Sequence, residues 1–516
     1  MGGHASALGN RLGRHRRRRF RPYAVWICPS VTLGAMVLGG RGSCVEGHTQ
    51  TAESLFDRTK GIGVFLSTPC QPSGTLPRMP QARIAYAGAI PEHPSKARVQ
   101  LPPRSANRHM TMLPAAVVVG LMTGLFVTGL RYLTIDVMWL RLLSTHSGLV
   151  LFAAPAAGIL LSGLLLRYFA DHPDIHDAEA YLEAYHRGRT DTRVGSFVAK
   201  VAAAVATLGF GGAAGLEGPS LYVGSSLGAV AANRLRRMGL NHDGLKTLLV
   251  AGAAAGISAV FKAPLTGLVF ALEMPYTDDF AHEALIPSML ASVASYLVAI
   301  SLLGPEPLFQ VNRAYVPSVG NVLLALVLGV LVGLAARFFV VSLKLAESLT
   351  DRWKIPLVVR TAIGGILCAS FGFASFRLYG SPLAIGSGYQ LIDAASAGRY
   401  IGLAAVVLFL LRGGAVVSTL GSGASGGSFV PLVSLGAIAG GAFEAIAPAT
   451  GALFPVVGMA AFLAAANATP IAGAVFVAES TGAAGFVIPG LVAAAAAYVV
   501  AGGRTLSEHQ RPSRRG

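Results

Sequence analysis

Two glycine-rich segments carry residues that could hold an anion. The first reads Gly-Phe-Gly-Gly-Ala-Ala-Gly-Leu-Glu-Gly-Pro-Ser-Leu over 209–221, and the second reads Gly-Ser-Gly-Ala-Ser-Gly-Gly-Ser-Phe-Val-Pro over 421–431. In each, glycines precede a proline, which predicts that one helix breaks and another begins at the proline, where a missing N–H costs nothing. Free backbone N–H groups and the helix dipole at such a start favour an anion.

The two segments differ where a charge would matter. Glu217 precedes Pro219 by two residues, and Phe429 precedes Pro431 by the same spacing. We expect the N–H groups of Ser428 and Phe429 to be unpaired and to point at a central cavity. A carboxylate within a membrane is a functional hypothesis by default. The structural alternatives are a paired or interfacial Glu217 and a second segment that only kinks a packed helix.

Composition places these segments in a membrane protein. The 516 residues are 53% hydrophobic and 13% charged, with a mean hydropathy of +0.59. A chain with so little charge cannot cover a soluble surface with polar groups. Several apolar stretches exceed the roughly 20 residues that a membrane helix needs. They lie at 113–131, 149–168, 245–273, 284–303, 319–343, 356–373, 401–420, 452–479 and 485–502.

The net charge of +17 comes mostly from the N-terminal region. Residues 1–111 hold 16 of the 41 Lys and Arg residues but only 4 of the 24 Asp and Glu residues. This single basic segment implies no nucleic-acid partner. Two interpretations of 1–111 stay open: a disordered basic extension, or a translation start at Met110 or Met112, which we favour. The four cysteines have no metal-ligand or redox spacing.

The rest of the chain is an internal duplication. A shift of 206 residues aligns 251–273 with 457–479 at 9 identical positions of 23, and a shift of 212 aligns four residues of the first glycine-rich region with the second. Repeats in a membrane protein predict a transporter or channel with a site between the halves. The predicted organisation is a first membrane repeat over 112–305, a second over 306–507 and a short polar tail over 508–516.

These residues resemble the CLC family of chloride channels and proton-coupled anion transporters. Gly215-Leu-Glu-Gly-Pro219 is similar to the family's G-[KR]-E-G-P signature, and Gly427-Ser-Phe-Val-Pro431 to its G-x-F-x-P signature. Ala263-Pro-Leu-Thr-Gly267 fits between them, so the resemblance covers about 113–507. It implies an all-α polytopic protein of two inverted-topology repeats of tilted, partly broken helices, without enzymatic activity.

The resemblance also assigns roles and partners. It implies that Glu217 is the gate, occupying the anion site when ionised and swinging aside when protonated. It implies a homodimer in the cytoplasmic membrane, in contact with lipid, that moves chloride or similar anions and needs no metal or cofactor beyond bound chloride. The anion-binding residues that it implies are Gly215, Gly218, Pro219, Gly427, Ser428, Phe429, Val430, Pro431 and Ser507.

Four departures from the family pattern bear on mechanism. Leu216 replaces the basic residue of the first signature, and the family's G-S-G-I-P motif is absent from 172–176. Ser507 stands where the family has a pore tyrosine. Because the usual pore serine and tyrosine are both absent, the anion preference stays open among chloride, nitrate, bromide and fluoride. Met274 follows Glu273 at the place of the family's internal proton-transfer glutamate, and a thioether carries no protons. The sequence therefore favours a passive channel over an H⁺/Cl⁻ antiporter, although Glu273 or Asp278 could substitute.

Two rival interpretations come from other classes. Gly423-Ala-Ser425-Gly426 fits the G-x-S-G pattern of an intramembrane serine protease, but the one histidine after Ser425 is His509, in the polar tail. Such a serine needs a histidine base within hydrogen-bond reach. The alternation of His and acidic residues over 172–179 suggests a metal site but lacks a closed ligand geometry. We expect a solvated linker there instead.

Overall fold

The computed structural model describes residues 105–145, 147–173, 175–188, 193–237, 242–311, 318–447 and 452–513. The prediction for the extension over 1–111 lies outside these residues, except for its last seven, which belong to a helix that begins at Ser105. The described region forms part of one compact unit, Ala97–Gly516.

Among the described residues, the regular secondary structure is helical, without a β-strand, and two series of helices follow each other along the chain. The first series is α1 (Ser105–Arg131), α2 (Leu140–Ser144), α3 (Gly148–Phe169), α4 (Asp177–Arg187), α5 (Val194–Gly209), α6 (Glu217–Arg236), α7 (His242–Phe261), α8 (Pro264–Glu273) and α9 (Leu285–Leu303). The second series is α10 (Val319–Arg352), α11 (Leu357–Tyr379), α12 (Tyr389–Ser396), α13 (Gly402–Leu420), α14 (Phe429–Glu444), α15 (Leu453–Asn467), α16 (Pro470–Thr481) and α17 (Val487–Ala501). A π-helical stretch, Tyr132–Trp139, joins α1 to α2.

The protein is a multi-pass membrane protein. Within the described residues, eight helices are long and apolar enough to cross a membrane. Their outward faces stay apolar, as on α10, where Val319, Leu323 and Phe338 are all at least 60% exposed. Such a surface fits lipid, because exposed apolar area on this scale is unfavourable in water. The membrane class predicted from composition is confirmed.

The two series are related by inversion, as α8 and α16 show. Glu273, the last residue of α8, accepts hydrogen bonds from N–H groups in the first turn of α16, and Glu479 near the end of α16 does the same for α8. Each carboxylate reaches from a C-terminal end to an N-terminal start, so the two helices run antiparallel. The N···O distances are 3.1 Å from Ile471, 2.9 Å from Ala472, 3.0 Å from Leu265 and 2.6 Å from Thr266.

Glycines bring the helices of each half into close contact at equivalent places. A Cβ atom on Gly224 of α6 would overlap the carbonyl of Gly252 on α7. A Cβ atom on Gly436 of α14 would overlap the carbonyl of Gly458 on α15 in the same way. Small residues at such contacts let helix backbones approach within a membrane. The inverted-repeat, all-α fold predicted from the resemblance is confirmed.

Because Glu273 and Glu479 each cap the opposite helix, removing one of these carboxylates should lower the stability of the fold. Glu273→Ala should lower the free energy of unfolding by about 2–4 kcal/mol, because it leaves two first-turn N–H groups of α16 unpaired, that of Ala472 buried and that of Ile471 partly buried. Thermal unfolding of the purified protein in detergent measures this as a lower Tm. The control is Glu306→Ala, since Glu306 is an exposed carboxylate in the segment after α9. Equal Tm values for the two variants would contradict the capping role.

Candidate anion site

The two glycine-rich breaks meet in the interior of the described region. The Gly215 N–H donates to the Gly427 carbonyl at 2.8 Å, and the Gly427 N–H donates to the Gly215 carbonyl at 2.7 Å. The breaks span 210–216, between α5 and α6, and 421–428, between α13 and α14. Non-helical backbone at membrane depth is tolerated only where protein buries it or where it lines a cavity. Here each break supplies the other's missing backbone partner.

Glu217 extends its side chain across to the second half. The residue is 2% exposed, and its Oε1 accepts a hydrogen bond from the Val430 N–H at 3.3 Å. The Phe429 N–H is directed at the same carboxyl group. Within the described residues, Oε2 has no hydrogen-bond partner. A carboxylate therefore occupies the N-terminus of α14, which is where free N–H groups and the helix dipole favour an anion.

Three glycines make the room that this carboxyl group needs. A Cβ atom on Gly215 or on Gly427 would overlap the carboxyl group of Glu217. A Cβ atom on Gly218 would lie 2.9 Å from the Gly427 Cα atom, too close for the two halves to meet. Any side chain at these positions would therefore displace the carboxyl group or separate the breaks.

Phe429 anchors α14 without filling the site. Its side chain is 1% exposed, and its ring centroid lies 4.6 Å from that of Phe261, 4.9 Å from Phe476 and 5.1 Å from Phe270. Aromatic rings at these separations pack favourably. The ring is thus held in an aromatic cluster while the backbone N–H stays available to Glu217.

The helices of the site begin two residues earlier than expected. Pro219 and Pro431 are the third residues of α6 and α14, not the first. Proline is tolerated there because first-turn N–H groups have no partner within the helix. Ser428 directly precedes α14, and its carbonyl accepts from the Leu432 N–H at 2.9 Å.

Ser507 lies in a different environment. Its carbonyl accepts a hydrogen bond from Thr505 Oγ1 at 3.0 Å, and it lines a cavity with Lys344 and Arg504. Among the contacts of the described residues, none joins Ser507 to Glu217 or to the bridged glycines. Its assignment to the anion site stays a prediction.

The partner of Ser425 is a carboxylate. Ser425 Oγ donates to Asp177 Oδ2 at 2.7 Å, and both residues are buried. The expectation of a solvated linker over 172–179 is wrong from Asp177 onward, because α4 begins there and buries Tyr181 and Leu182. The alternation of His and acidic residues did not indicate this helix, because the apolar face of the helix starts only after the charged residues.

Two buried cations, not identified from the sequence, bind backbone carbonyl groups of loops in the two halves. Lys200 Nζ donates to the Ile175 carbonyl at 2.9 Å, and Arg412 Nη2 donates to the Ser387 carbonyl at 2.9 Å. Lys200 precedes Glu217 by 17 residues, and Arg412 precedes Phe429 by the same number. The shift of 212 residues aligns the cations with each other and their acceptors with each other. That repeat spacing was the signal that could have found them.

Glu273, the residue before Met274, already has hydrogen-bond partners for its carboxylate. Met274 is 3% exposed, and both carboxylate oxygens of Glu273 accept hydrogen bonds from α16. Asp278 accepts a hydrogen bond from the Tyr498 hydroxyl at 2.9 Å. Residues of the polar tail cover this region, since Gln510 Nε2 donates to the Met274 carbonyl at 2.9 Å.

The close fit around the Glu217 carboxyl group predicts that a methyl group added at Gly427 disturbs anion binding. Gly427→Ala should weaken bromide binding about tenfold or more, which is ~1.4 kcal/mol, because the new Cβ atom enters the position of the carboxyl group. Isothermal titration of the purified protein with bromide measures this. The control is Gly413→Ala on α13, where the nearest atom to a Cβ would lie at an ordinary 3.9 Å. Unchanged affinity in Gly427→Ala would exclude the bridged glycines from the site.

Comparison with known proteins identifies the family. The family described as voltage gated chloride channel matches residues 158–502. The chain is 27% identical over 355 residues to a putative chloride channel protein ClcB-like of Ralstonia nicotianae (67% of this chain, 81% of the relative). It is 31% identical over 327 residues to the H⁺/Cl⁻ exchange transporter ClcA of Citrobacter koseri (60% of this chain, 66% of the relative).

A solved structure agrees in fold. The crystal structure of a CLC-type fluoride/proton antiporter superposes with a TM-score of 0.68 at 23% identity, covering 78% of this chain and 98% of that one. The family match covers most of the membrane region and includes both glycine-rich breaks. The chain belongs to the voltage gated chloride channel (CLC) family.

Proposed function

We propose that this protein moves chloride or a similar small anion across the cytoplasmic membrane in exchange for protons, with Glu217 as the gate. The observation that carries the proposal is the position of the Glu217 carboxyl group, at the N–H groups that begin α14. A carboxylate in that position is itself a bound anion, so it competes with any mobile anion for the same donors.

The exchange follows from this competition. An ionised Glu217 fills the site and blocks it, and a protonated Glu217 loses its attraction to the N–H groups and the helix dipole. The side chain then leaves and an anion takes its place. Because the carboxyl group must gain a proton to leave and lose it to return, each cycle can carry a proton against an anion.

Several of the relatives support exchange over passive conduction. The Citrobacter koseri relative is named an H⁺/Cl⁻ exchange transporter, and two solved structures of the same fold are antiporters by title. We adopt their activity as the proposed activity of this chain. Chloride is the first anion to test, with bromide, nitrate and fluoride beside it, since Leu216, the segment 172–176 and Ser507 differ from the family signatures.

Passive conduction is the second candidate, and a specific observation favours it. Met274 occupies the internal proton-transfer place and cannot carry a proton. Glu273 beside it is engaged by two N–H groups of α16. A proton that reaches Glu217 from the inner side would need another route.

We further propose a homodimer, as in the family that the sequence resembles, with an anion path in each subunit.

A reversal-potential measurement separates the two candidates. In liposomes with opposed chloride and pH gradients, an exchanger gives a reversal potential that shifts with the pH gradient. A channel gives one that follows chloride alone. We expect a shift. The absence of any shift would reject exchange and leave the channel.

Glu217→Gln tests the gate itself. The amide keeps the size of the side chain but cannot exchange a proton, so we expect anion flux to lose its dependence on pH and proton movement to stop. Efflux from liposomes, followed with a chloride electrode and a pH electrode together, measures both. The control is Glu444→Gln, because Glu444 ends α14 at the opposite end from the site. Wild-type pH dependence in Glu217→Gln would exclude Glu217 as the gate.

A further inference from the structure

The second glycine-rich break binds a second carboxylate besides Glu217. Asp177 is 3% exposed, and its Oδ2 accepts a hydrogen bond from Ser425 Oγ at 2.7 Å. The Gly426 N–H is directed at the same carboxyl group. Both carboxylates come from the first half and bind donors of the second, Glu217 in the first turn of α14 and Asp177 near the middle of the break. The break and the helix that follows it therefore offer donors to an anion at two places.

A buried cation links this place to an open cavity. Lys200 is 4% exposed, its Nζ lies 5.0 Å from the centroid of the Tyr222 ring, and its charge acts on Asp177. Lys200 and Tyr222 line a cavity of about 340 Å³, together with Ser225, Ser226 and two carboxylates, Asp171 and Glu183, which pair with Arg193 and Arg187. Within this lining, the buried Lys200 is the group that would attract an anion toward the break.

In the second half, a buried cation binds the carbonyl groups of the equivalent loop without a carboxylate like that of Asp177. The shift of 212 residues aligns Lys200 with Arg412 and Asp177 with Tyr389. Arg412 is fully buried and donates to three carbonyls and to Ser434 Oγ. Cation and carbonyls recur in both halves, whereas the carboxylate belongs to the first half alone. The symmetric bracing does not explain Asp177.

We propose that Ser425, the Gly426 N–H and Lys200 form a second site for a small monovalent anion, and that the Asp177 carboxylate occupies this site as a second gate. The inference rests on the proposed function, because it continues the anion path from Glu217 toward the cavity beside Lys200. When the Asp177 carboxylate moves away, chloride or bromide takes its place between the hydroxyl and the N–H group.

Removing the carboxylate should expose the site. Asp177→Ala and Asp177→Ser shorten the side chain and remove the carboxylate from the Ser425 hydroxyl and from the charge of Lys200, and the serine variant retains a polar group at the start of α4. With bromide as the probe, we expect anomalous diffraction to show an ion beside Ser425 that the wild-type protein lacks. In liposomes we expect chloride efflux about threefold faster or more, because the binding-competent state is no longer a minor population.

The matched control is Asp171→Ala. Asp171 lines the same cavity, but its side chain is 37% exposed and lies 3.6 Å from that of Arg193. Because the Asp177 carboxylate stays on Ser425 in this variant, no bromide should appear beside Ser425. Adding Ser425→Ala to Asp177→Ala should remove the gained bromide, since the hydroxyl donor is lost.

The possible outcomes separate this inference from the proposed function. Folded Asp177 variants that gain neither bromide nor efflux would overturn the inference, while wild-type anion flux in the same liposomes would leave the proposed function intact. If the variants gain bromide but no protein moves an anion, the site stands and the proposed transport fails. Loss of the fold in both Asp177 variants would assign the cluster a structural role and overturn the inference.

Discussion

The structure depends on how helix ends are satisfied at membrane depth. A helix that begins or ends within the membrane leaves N–H or carbonyl groups without partners, and no bulk water is present to bind them. In this protein each half supplies what the other lacks. Gly215 and Gly427 exchange two hydrogen bonds, and Glu273 and Glu479 each bind the first turn of the opposite helix. Interrupted helices are stable here because of these exchanges.

The exchanges are symmetric where they hold the fold and asymmetric where they meet an anion. The capping glutamates, the close glycine contacts and the buried cations recur at shifts of 206 or 212 residues. Glu217 is matched by Phe429, and Asp177 by Tyr389. These two carboxylates reach the second half, Glu217 at the first turn of α14 and Asp177 at the break before it. Duplication thus built the scaffold, and single replacements within it placed negative charge on one side only.

The same asymmetry explains why the Glu217 carboxylate can compete with a mobile anion for the N–H groups of α14. Its Oε1 accepts a hydrogen bond of 3.3 Å, and its Oε2 has no partner among the described residues. Glu273 and Glu479 each engage both oxygens at shorter distances. A carboxylate that is held through one oxygen, by the Val430 N–H at 3.3 Å and the nearby Phe429 N–H, loses less on leaving than one with both oxygens engaged at shorter distances. Position in the fold therefore separates the structural glutamates from the candidate gate.

Much of the site was predictable because its chemistry is local. Glycines before a proline predicted each break, and the spacing of Glu217 and Phe429 from the prolines predicted their equivalence. The predicted helix starts were two residues late, since proline is tolerated anywhere in the first turn. The segment 172–179 was assigned to solvent because its polar residues concealed the start of α4. Side-chain burial depends on contacts far along the chain, which a local pattern does not contain.

By itself, the sequence determined that the chain crosses a membrane, is built of two related halves and carries two breaks suited to an anion. Those properties follow from hydropathy, repetition and the backbone chemistry of glycine and proline. Only the tertiary structure decided which polar groups meet. Glu217 reaches Val430, Asp177 reaches Ser425, and Glu273 is engaged by α16, across sequence separations of about 200 residues or more. Such pairs form because buried polar groups must find partners, and folding alone determines which partners lie within reach.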